Sequence, residues 1–291
     1  MGSPDIQDLL RTIYDAKRTI VTQQPSRFNV EGKLIQIPKH GEIVVIGDLH
    51  GDFKSLNRIL DETKFHDRAF KGESLILICL GDYIDRGPNQ VEVLYSLLKL
   101  LNEHPSKIIL LRGNHEGPSD LPVSPHDFPY ILRDQYGEDS EQVYQAFKEL
   151  TSELYMSAFI PEMALLVHGG IPVEAKSLED IAEARNRYPN SDSLIQILWN
   201  DPMSKPGVMP SPRGAGYYFG PDISRRFLDS VNLRKIIRGH QSSSKGFEII
   251  DDVITLFSCK LPMYGNLKAA YMVIPLVPGN VLDFEECIRT F

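Results

Sequence analysis

Cysteine is scarce in this sequence: the 291 residues hold three, Cys79, Cys259 and Cys287, far apart and odd in number. That count excludes a disulfide framework and a paired-cysteine metal knuckle, and it favours a reducing, cytoplasmic setting. Long apolar runs are also missing. The longest, Leu75 to Leu80 and Ile108 to Leu111, have the length of strands and fall short of the roughly 18 apolar residues that a membrane span needs. The opening Met1-Gly2-Ser3-Pro4 has neither the apolar region of a signal peptide nor, with Ile6 at the sixth position, the Ser or Thr of a myristoylation motif. No address and no membrane association are expected. Basic charge is in deficit too: 31 Lys and Arg against 39 Asp and Glu leave a net charge of -8. Such a chain has no overall positive field to hold nucleic acid, so any phosphate site must be a local basic pocket.

What is present is an ordinary globular balance, 42% hydrophobic and 24% charged, enough for a sizeable core. Ser3 before Pro4 reads as an N-cap with proline in the first turn, followed by Leu9, Leu10, Ile13, Tyr14, Ala16 and Ile20 at helical spacing. From Ile43 onward, short apolar runs alternate with helical patterns: Ile43 to Ile46, Leu75 to Leu80 and Ile108 to Leu111 make a βαβαβ rhythm. Pro118 to Pro129 reads as a long irregular loop, followed by helical stretches at Tyr130 to Gln135, Glu141 to Met156 and, after an apolar run Ala164 to Val167, Ser191 to Leu198. Asp201 to Gly216 is again loop-like. From Arg234 on, short β-like runs suggest a mostly antiparallel sheet. With no repeat, low-complexity tract or clear linker, one domain over residues 1–291 is expected, with an N-terminal helix in 1–25 and a core over about 40–286.

Five polar segments stand where apolar runs end: Gly47-Asp48-Leu49-His50-Gly51-Asp52, Gly81-Asp82-Tyr83-Ile84-Asp85-Arg86-Gly87, Arg112-Gly113-Asn114-His115-Glu116, His168-Gly169-Gly170 and Arg238-Gly239-His240. The ends of strands are where open α/β sheets place their ligands. Each segment sets metal-type donors beside glycine, whose backbone turns tightly enough to let side chains from different strands meet. An Asp or His after a strand is more often a cap or a satisfied polar residue. Six together, Asp48, His50, Asp82, Asn114, His168 and His240, reverse that balance. Asp48 and His50 can chelate one cation, and Asp82 can bridge it to a second held by Asn114, His168 and His240. Two cations about 3.5 to 4 Å apart clamp a phosphoryl group and acidify a bridging water. Arg86 and Arg213 are candidates to grip phosphate, because a guanidinium fork matches its oxygens; for Arg213 a surface ion pair is an equal alternative. His115 is not needed as a ligand and can protonate the leaving oxygen if Asp85 orients it, the alternative being a structural His-Asp pair.

In order, these segments resemble those of the PPP family of metal-dependent protein serine/threonine phosphatases, and the resemblance continues through Leu198-Trp199-Asn200-Asp201-Pro202, Arg213-Gly214-Ala215-Gly216-Tyr217-Tyr218-Phe219-Gly220 and Phe257-Ser258. It implies an α/β (α+β) fold of the metallophosphoesterase type: a central β-sandwich flanked by helices, with a dinuclear site at its strand ends. It further implies two divalent ions, manganese first and iron or zinc as alternatives. Asp48 and His50 would hold one, Asp82 would bridge, and Asn114, His168 and His240 would hold the other. Arg86, Arg213 and Asn114 would grip the phosphate, His115 backed by Asp85 would act as general acid, and Tyr264 would overhang the site. The family's Ser-Ala-Pro-Asn-Tyr-Cys-Gly loop is replaced by Ser258-Cys259-Lys260-Leu261-Pro262-Met263-Tyr264-Gly265-Asn266, without the cysteine that natural-toxin inhibitors attack.

The expected activity is hydrolysis of phosphoserine and phosphothreonine in phosphoproteins by attack of a metal-bridging hydroxide, with no covalent intermediate. A diadenosine polyphosphate or nucleotide hydrolase is the alternative, since the same two-metal core can attack a phosphoanhydride. A catalytically silent phosphate-binding scaffold is disfavoured by the completeness of the ligand set.

Overall fold

The computed structural model describes residues 3–117, 121–276 and 282–291. The three parallel strands Gly41–Ile46, Leu75–Cys79 and Ile108–Leu110 lie side by side, as the βαβαβ rhythm predicts. Their buried runs of Ile, Val and Leu leave no polar face, so both sides of this sheet must be covered. Ala270–Leu276 adds antiparallel to Gly41–Ile46 and carries Ile288–Thr290 on its outer edge, completing five strands.

A second sheet of seven strands runs in the order Asn29–Glu31, Leu34–Gln36, Ser157–Ile160, Ala164–Val167, Lys235–Arg238, Val253–Leu256, Phe247–Ile250. Alternation along its central strands sorts the side chains by face. Leu166, Ile237 and Ile254 join the core shared with the first sheet. Leu165, Val167, Ile236 and Val253 point the other way, into a second core with the helices Ser193–Trp199 and Pro221–Ser230. The expected sandwich flanked by helices is therefore present. The two sheets are joined at two isolated parallel bridges, Asp48 to Phe257 and Leu111 to Tyr155.

Four local expectations are corrected or sharpened. The opening helix, Ile6–Arg18, is capped by Asp5, whose carboxylate accepts from the N–H groups of Gln7 and Asp8 at 3.0 and 3.2 Å. A carboxylate at a helix N-terminus also meets the positive end of the dipole; Ser3 instead donates to Glu92 at 2.8 Å. Within that helix Leu9, Leu10, Ile13 and Ala16 are buried, whereas Tyr14 is half exposed and Ile20 falls in the π-helical turn that follows. The Asp201–Gly216 stretch is not all loop: Asp201–Pro202 and Val208–Pro210 flank Tyr217–Phe219 in a small three-stranded sheet. The C-terminal strands pair mostly antiparallel, as expected, but they divide between the two sheets and Lys235–Arg238 is parallel to both of its neighbours. After Arg238 the chain skips one position, descends as the edge strand Phe247–Ile250 and returns between the two as Val253–Leu256, parallel to Lys235–Arg238. The helical stretches in the middle are Phe128–Tyr136 and Ser140–Thr151. Of the expected loop before them, residues 118–120 lie outside the described residues.

Candidate functional site

Asp48, Asp82, Asn114, His168 and His240 all follow the C-terminal ends of strands, the first three in one sheet and the last two in the other. The backbone there is unusual. Among the described residues nine non-glycine positions have positive φ, and five of them are His50, Asp82, Asp85, Arg86 and His240. Left-handed backbone at such residues costs roughly 1 to 3 kcal/mol each and persists only where the surroundings over-determine it. Two glycines make the convergence possible. A Cβ on Gly113 would lie 2.2 Å from Asp82 Oδ1, and one on Gly239 would lie 2.4 Å from Asp48 Oδ1.

Two of the imidazoles are fixed in one tautomer by backbone carbonyls. His50 Nδ1–H donates to the Ile84 carbonyl at 2.9 Å, and His168 Nδ1–H donates to that of Leu80 at 3.0 Å. The remaining lone pairs face carboxylates. His50 Nε2 lies 3.4 Å from Asp82 Oδ2 and 3.8 Å from Asp48 Oδ2, while His168 Nε2 lies 3.4 Å from Asp82 Oδ1. The two oxygens of Asp82 thus face two separate donor groups. Asn114 Oδ1 sits 2.9 Å from His168 Nε2, 3.0 Å from His240 Nδ1, and 3.1 to 3.2 Å from the Asp82 oxygens. In this orientation the amide oxygen faces the bare Nε2 of His168 and both Asp82 oxygens, an arrangement that a cation among them would relieve; turned over, the amide would instead donate to the same groups. His240 is aimed by its own backbone N–H, which donates to Asp48 Oδ1 at 2.8 Å.

The electrostatics point the same way. Burial pushes Asp48 up to about 7, and burial together with the charges of Asp48 and Glu116 drives Asp82 well above the usual carboxylate range. Burial holds His50 down to about 3, and His168 and His240 well below their ordinary value. Neutral imidazoles and carboxylates short of counter-charge form a donor set for divalent cations. His50, Asp82 and His115 form one group of suitable spacing, and Asp82, His168 and His240 another. The residues present therefore fit a dinuclear centre.

Asp48, His50, Asp82, Asn114, His115 and His240 floor a cleft of about 500 Å³ whose walls include Arg86, Arg213, Trp199 and Tyr264. Arg213 Nε donates to Asp201 Oδ2 at 2.8 Å, and the other oxygen of Asp201 accepts from the buried Arg238 at 2.9 Å. The arginine is thus held by a fully buried carboxylate. Arg86 Nε is buried without a hydrogen-bond partner among the described residues, as is the Tyr264 hydroxyl. Tyr264 stacks on His50 with ring centroids 5.7 Å apart, so the divergent loop does bring it to the site. His115 Nδ1–H donates to Asp85 Oδ2 at 2.6 Å. Burial pushes Asp85 up, but hydrogen bonds from His115 and His126 outweigh it and hold the carboxyl below its ordinary value. Nine of the eleven side chains singled out from the sequence therefore line one cleft, and the other two, the fully buried Asp85 and His168, stand behind it, 2.6 Å from His115 and 2.9 Å from Asn114.

Two residues to which the sequence assigned no role also stand here. Glu116, fully buried, accepts from the N–H groups of Asp82, Tyr83 and Gly113 at 2.7, 2.9 and 3.0 Å. His126, in the stretch expected to be irregular loop, reaches Asp85 at 2.8 Å. The only signal available for it was that the chain has eight histidines, four of which the strand-end segments already claimed. Cys259 is buried, and burial pushes its thiol up.

Residues 41–243 match the family model of calcineurin-like phosphoesterases. The chain is 33% identical over 266 residues to serine/threonine-protein phosphatase T of Schizosaccharomyces pombe, a match covering 87% of this chain and 53% of that protein. It is 34% identical over 263 residues to serine/threonine-protein phosphatase 5 of Arabidopsis thaliana, covering 86% of this chain and 46% of that one. A solved structure of a protein serine/threonine phosphatase from Saccharomyces cerevisiae superimposes with a TM-score of 0.78 at 26% identity, covering 97% of this chain and 88% of the other. The chain spans about half the length of these two curated relatives.

Proposed function

The chain belongs to the calcineurin-like phosphoesterase family, and from that premise we propose that it is a protein serine/threonine phosphatase built as one catalytic unit. The observation that carries the reading is the floor of the cleft: the two oxygens of Asp82 face separate donor groups, with Arg86 and Arg213 on the walls above. Asp48, His50 and Asp82 would hold one cation, with His115, which also lies within reach of His50 and Asp82, kept instead on Asp85; Asp82, Asn114, His168 and His240 would hold the other. Two divalent ions there, of which manganese suits these nitrogen and oxygen donors, would supply charge to the phosphoryl oxygens and lower the pKa of the attacking water.

The protein's own groups do the remainder. Arg86 and Arg213 align the phosphoryl group by bidentate hydrogen bonds, the second pre-set by Asp201. Asn114 and Tyr264 border the same phosphate. His115 acts as the acid in its doubly protonated form: Nδ1–H stays on Asp85, whose charge favours the imidazolium against the burial that lowers its pKa, and Nε2–H passes its proton to the departing serine or threonine oxygen, leaving the neutral ring. No thiol takes part, since Cys79, Cys259 and Cys287 are all free and buried, which also suits a reducing compartment. The similarity to named serine/threonine phosphatases supports phosphoproteins as substrates.

The test is phosphate release from phosphoserine, phosphothreonine and phosphotyrosine peptides and from diadenosine tetraphosphate, after chelation and readdition of Mn2+. Metal-dependent turnover selective for phosphoserine or phosphothreonine is expected. Preference for the dinucleotide would replace the substrate class, and no turnover with metal bound would overturn the enzymatic reading.

A further inference from the structure

The Asp85 carboxylate has more partners than a two-residue acid needs. Its Oδ1 accepts from the N–H groups of Asp127 and Phe128, both at 2.9 Å. Its Oδ2 accepts from His115 Nδ1 at 2.6 Å and from His126 Nδ1 at 2.8 Å. Three consecutive residues, His126, Asp127 and Phe128, thus close around one buried carboxylate. The Asp127 side chain in turn accepts from the Arg86 N–H at 2.9 Å, so the same turn also reaches a phosphate-gripping candidate.

The tautomer of His126 follows from its neighbours. An ionised carboxylate only accepts, so Nδ1 carries the proton, and Nε2 accepts from the Tyr144 hydroxyl at 2.9 Å. Tyr144 belongs to the helix Ser140–Thr151, which makes the second imidazole a link between the helical layer and the acid. A loop anchor alone would be served by the two backbone N–H groups. The additional bond falls on the very oxygen that His115 uses.

We propose that His126 is a positioning residue for the dephosphorylation reaction. It occupies one lone pair of Asp85 Oδ2, so that the other points at His115 Nδ1 and the His115 ring is held with Nε2 toward the leaving oxygen. The assignment rests on the phosphatase reading above. Its effect is confined to substrates whose leaving group needs a proton: a serine alkoxide does, whereas 4-nitrophenol is acidic enough to leave as its anion.

The experiment compares the full chain with its His126→Ala, His126→Asn and Tyr144→Phe variants, supplied with Mn2+, on a phosphoserine peptide and on 4-nitrophenyl phosphate. For His126→Ala, kcat on the peptide falls about tenfold with KM unchanged, while the loss on the nitrophenyl ester is under about twofold. His126→Asn, whose amide N–H can reach Asp85, recovers the peptide rate to within about threefold of the parent. Tyr144→Phe leaves the histidine in place but removes its hydroxyl donor. It gives the same split at about threefold, and decides the matter if the alanine variant does not fold. Equal losses on the two substrates, no loss, a change in KM alone, or an asparagine variant no better than alanine would each overturn the role of His126. If the parent chain turns over neither substrate, the phosphatase reading falls as well; parental turnover with equal losses removes only His126.

Discussion

Glu116 illustrates how much one side chain settles at the residue scale. Its carboxylate gathers three buried N–H groups, including that of Asp82, and thereby fixes the left-handed turn that aims Asp82 at both donor groups. Removing it leaves three donors unsatisfied, so Glu116→Ala is expected to destabilise by about 3 kcal/mol or more in urea unfolding. Glu116→Gln keeps one acceptor oxygen and loses less. Asp82→Asn acts differently: it removes the charge shared by both donor groups, and metal content and turnover should fall together. Normal turnover in that variant would contradict a bridging role. The metal-type donors were legible in the sequence because each stands beside glycine at the end of an apolar run. Glu116 and His126 were not, since what they do depends on the N–H groups of Asp82 and Tyr83 and on the Asp85 carboxylate, which lie 33 to 41 positions away.

At the scale of elements, the legible features were those with continuous apolar character. Gly41–Ile46, Leu75–Cys79 and Ile108–Leu110 fall where the runs put them, because strands buried on both faces carry no polar interruptions. The start of the first helix was misread by two residues: Ser3-Pro4 and Asp5 offer similar N-cap chemistry, and the choice depends on Glu92, which captures the serine from a distant helix. Asp5→Ala should therefore cost about 1 kcal/mol in thermal unfolding, whereas Ser3→Ala should leave the cap intact. The parallel pairing of Lys235–Arg238 was not legible either. Short runs such as Phe247–Ile250 and Val253–Leu256 carry a pairing signal for a hairpin but none for the neighbour on the far side.

Over the whole molecule, the sheets meet where the charge is concentrated. Asp48 bridges to Phe257 across the sheets, and its carboxylate, raised to about 7 by burial, must lose a proton before it holds a cation. Metal affinity should therefore rise with pH up to about 7 and fall as protons compete below it, with calorimetry at about pH 5.5 and about pH 7.5 as the check. The opposite slope would show that the buried carboxylate takes no part. Saturating Mn2+ should also raise the unfolding temperature, by the equivalent of about 3 kcal/mol at a hundredfold excess over the dissociation constant. The sequence carried the inventory of this site but not its assembly, because pairing between sheets is a property of strand order rather than of any one segment.

The hydrogen bond from the His240 N–H to Asp48 joins positions 192 residues apart. During synthesis the first donor group, around Asp48, His50 and Asp82, emerges from the ribosome long before the second can close. A nascent chain of this protein therefore presents one candidate donor group without the other until His240 has been made.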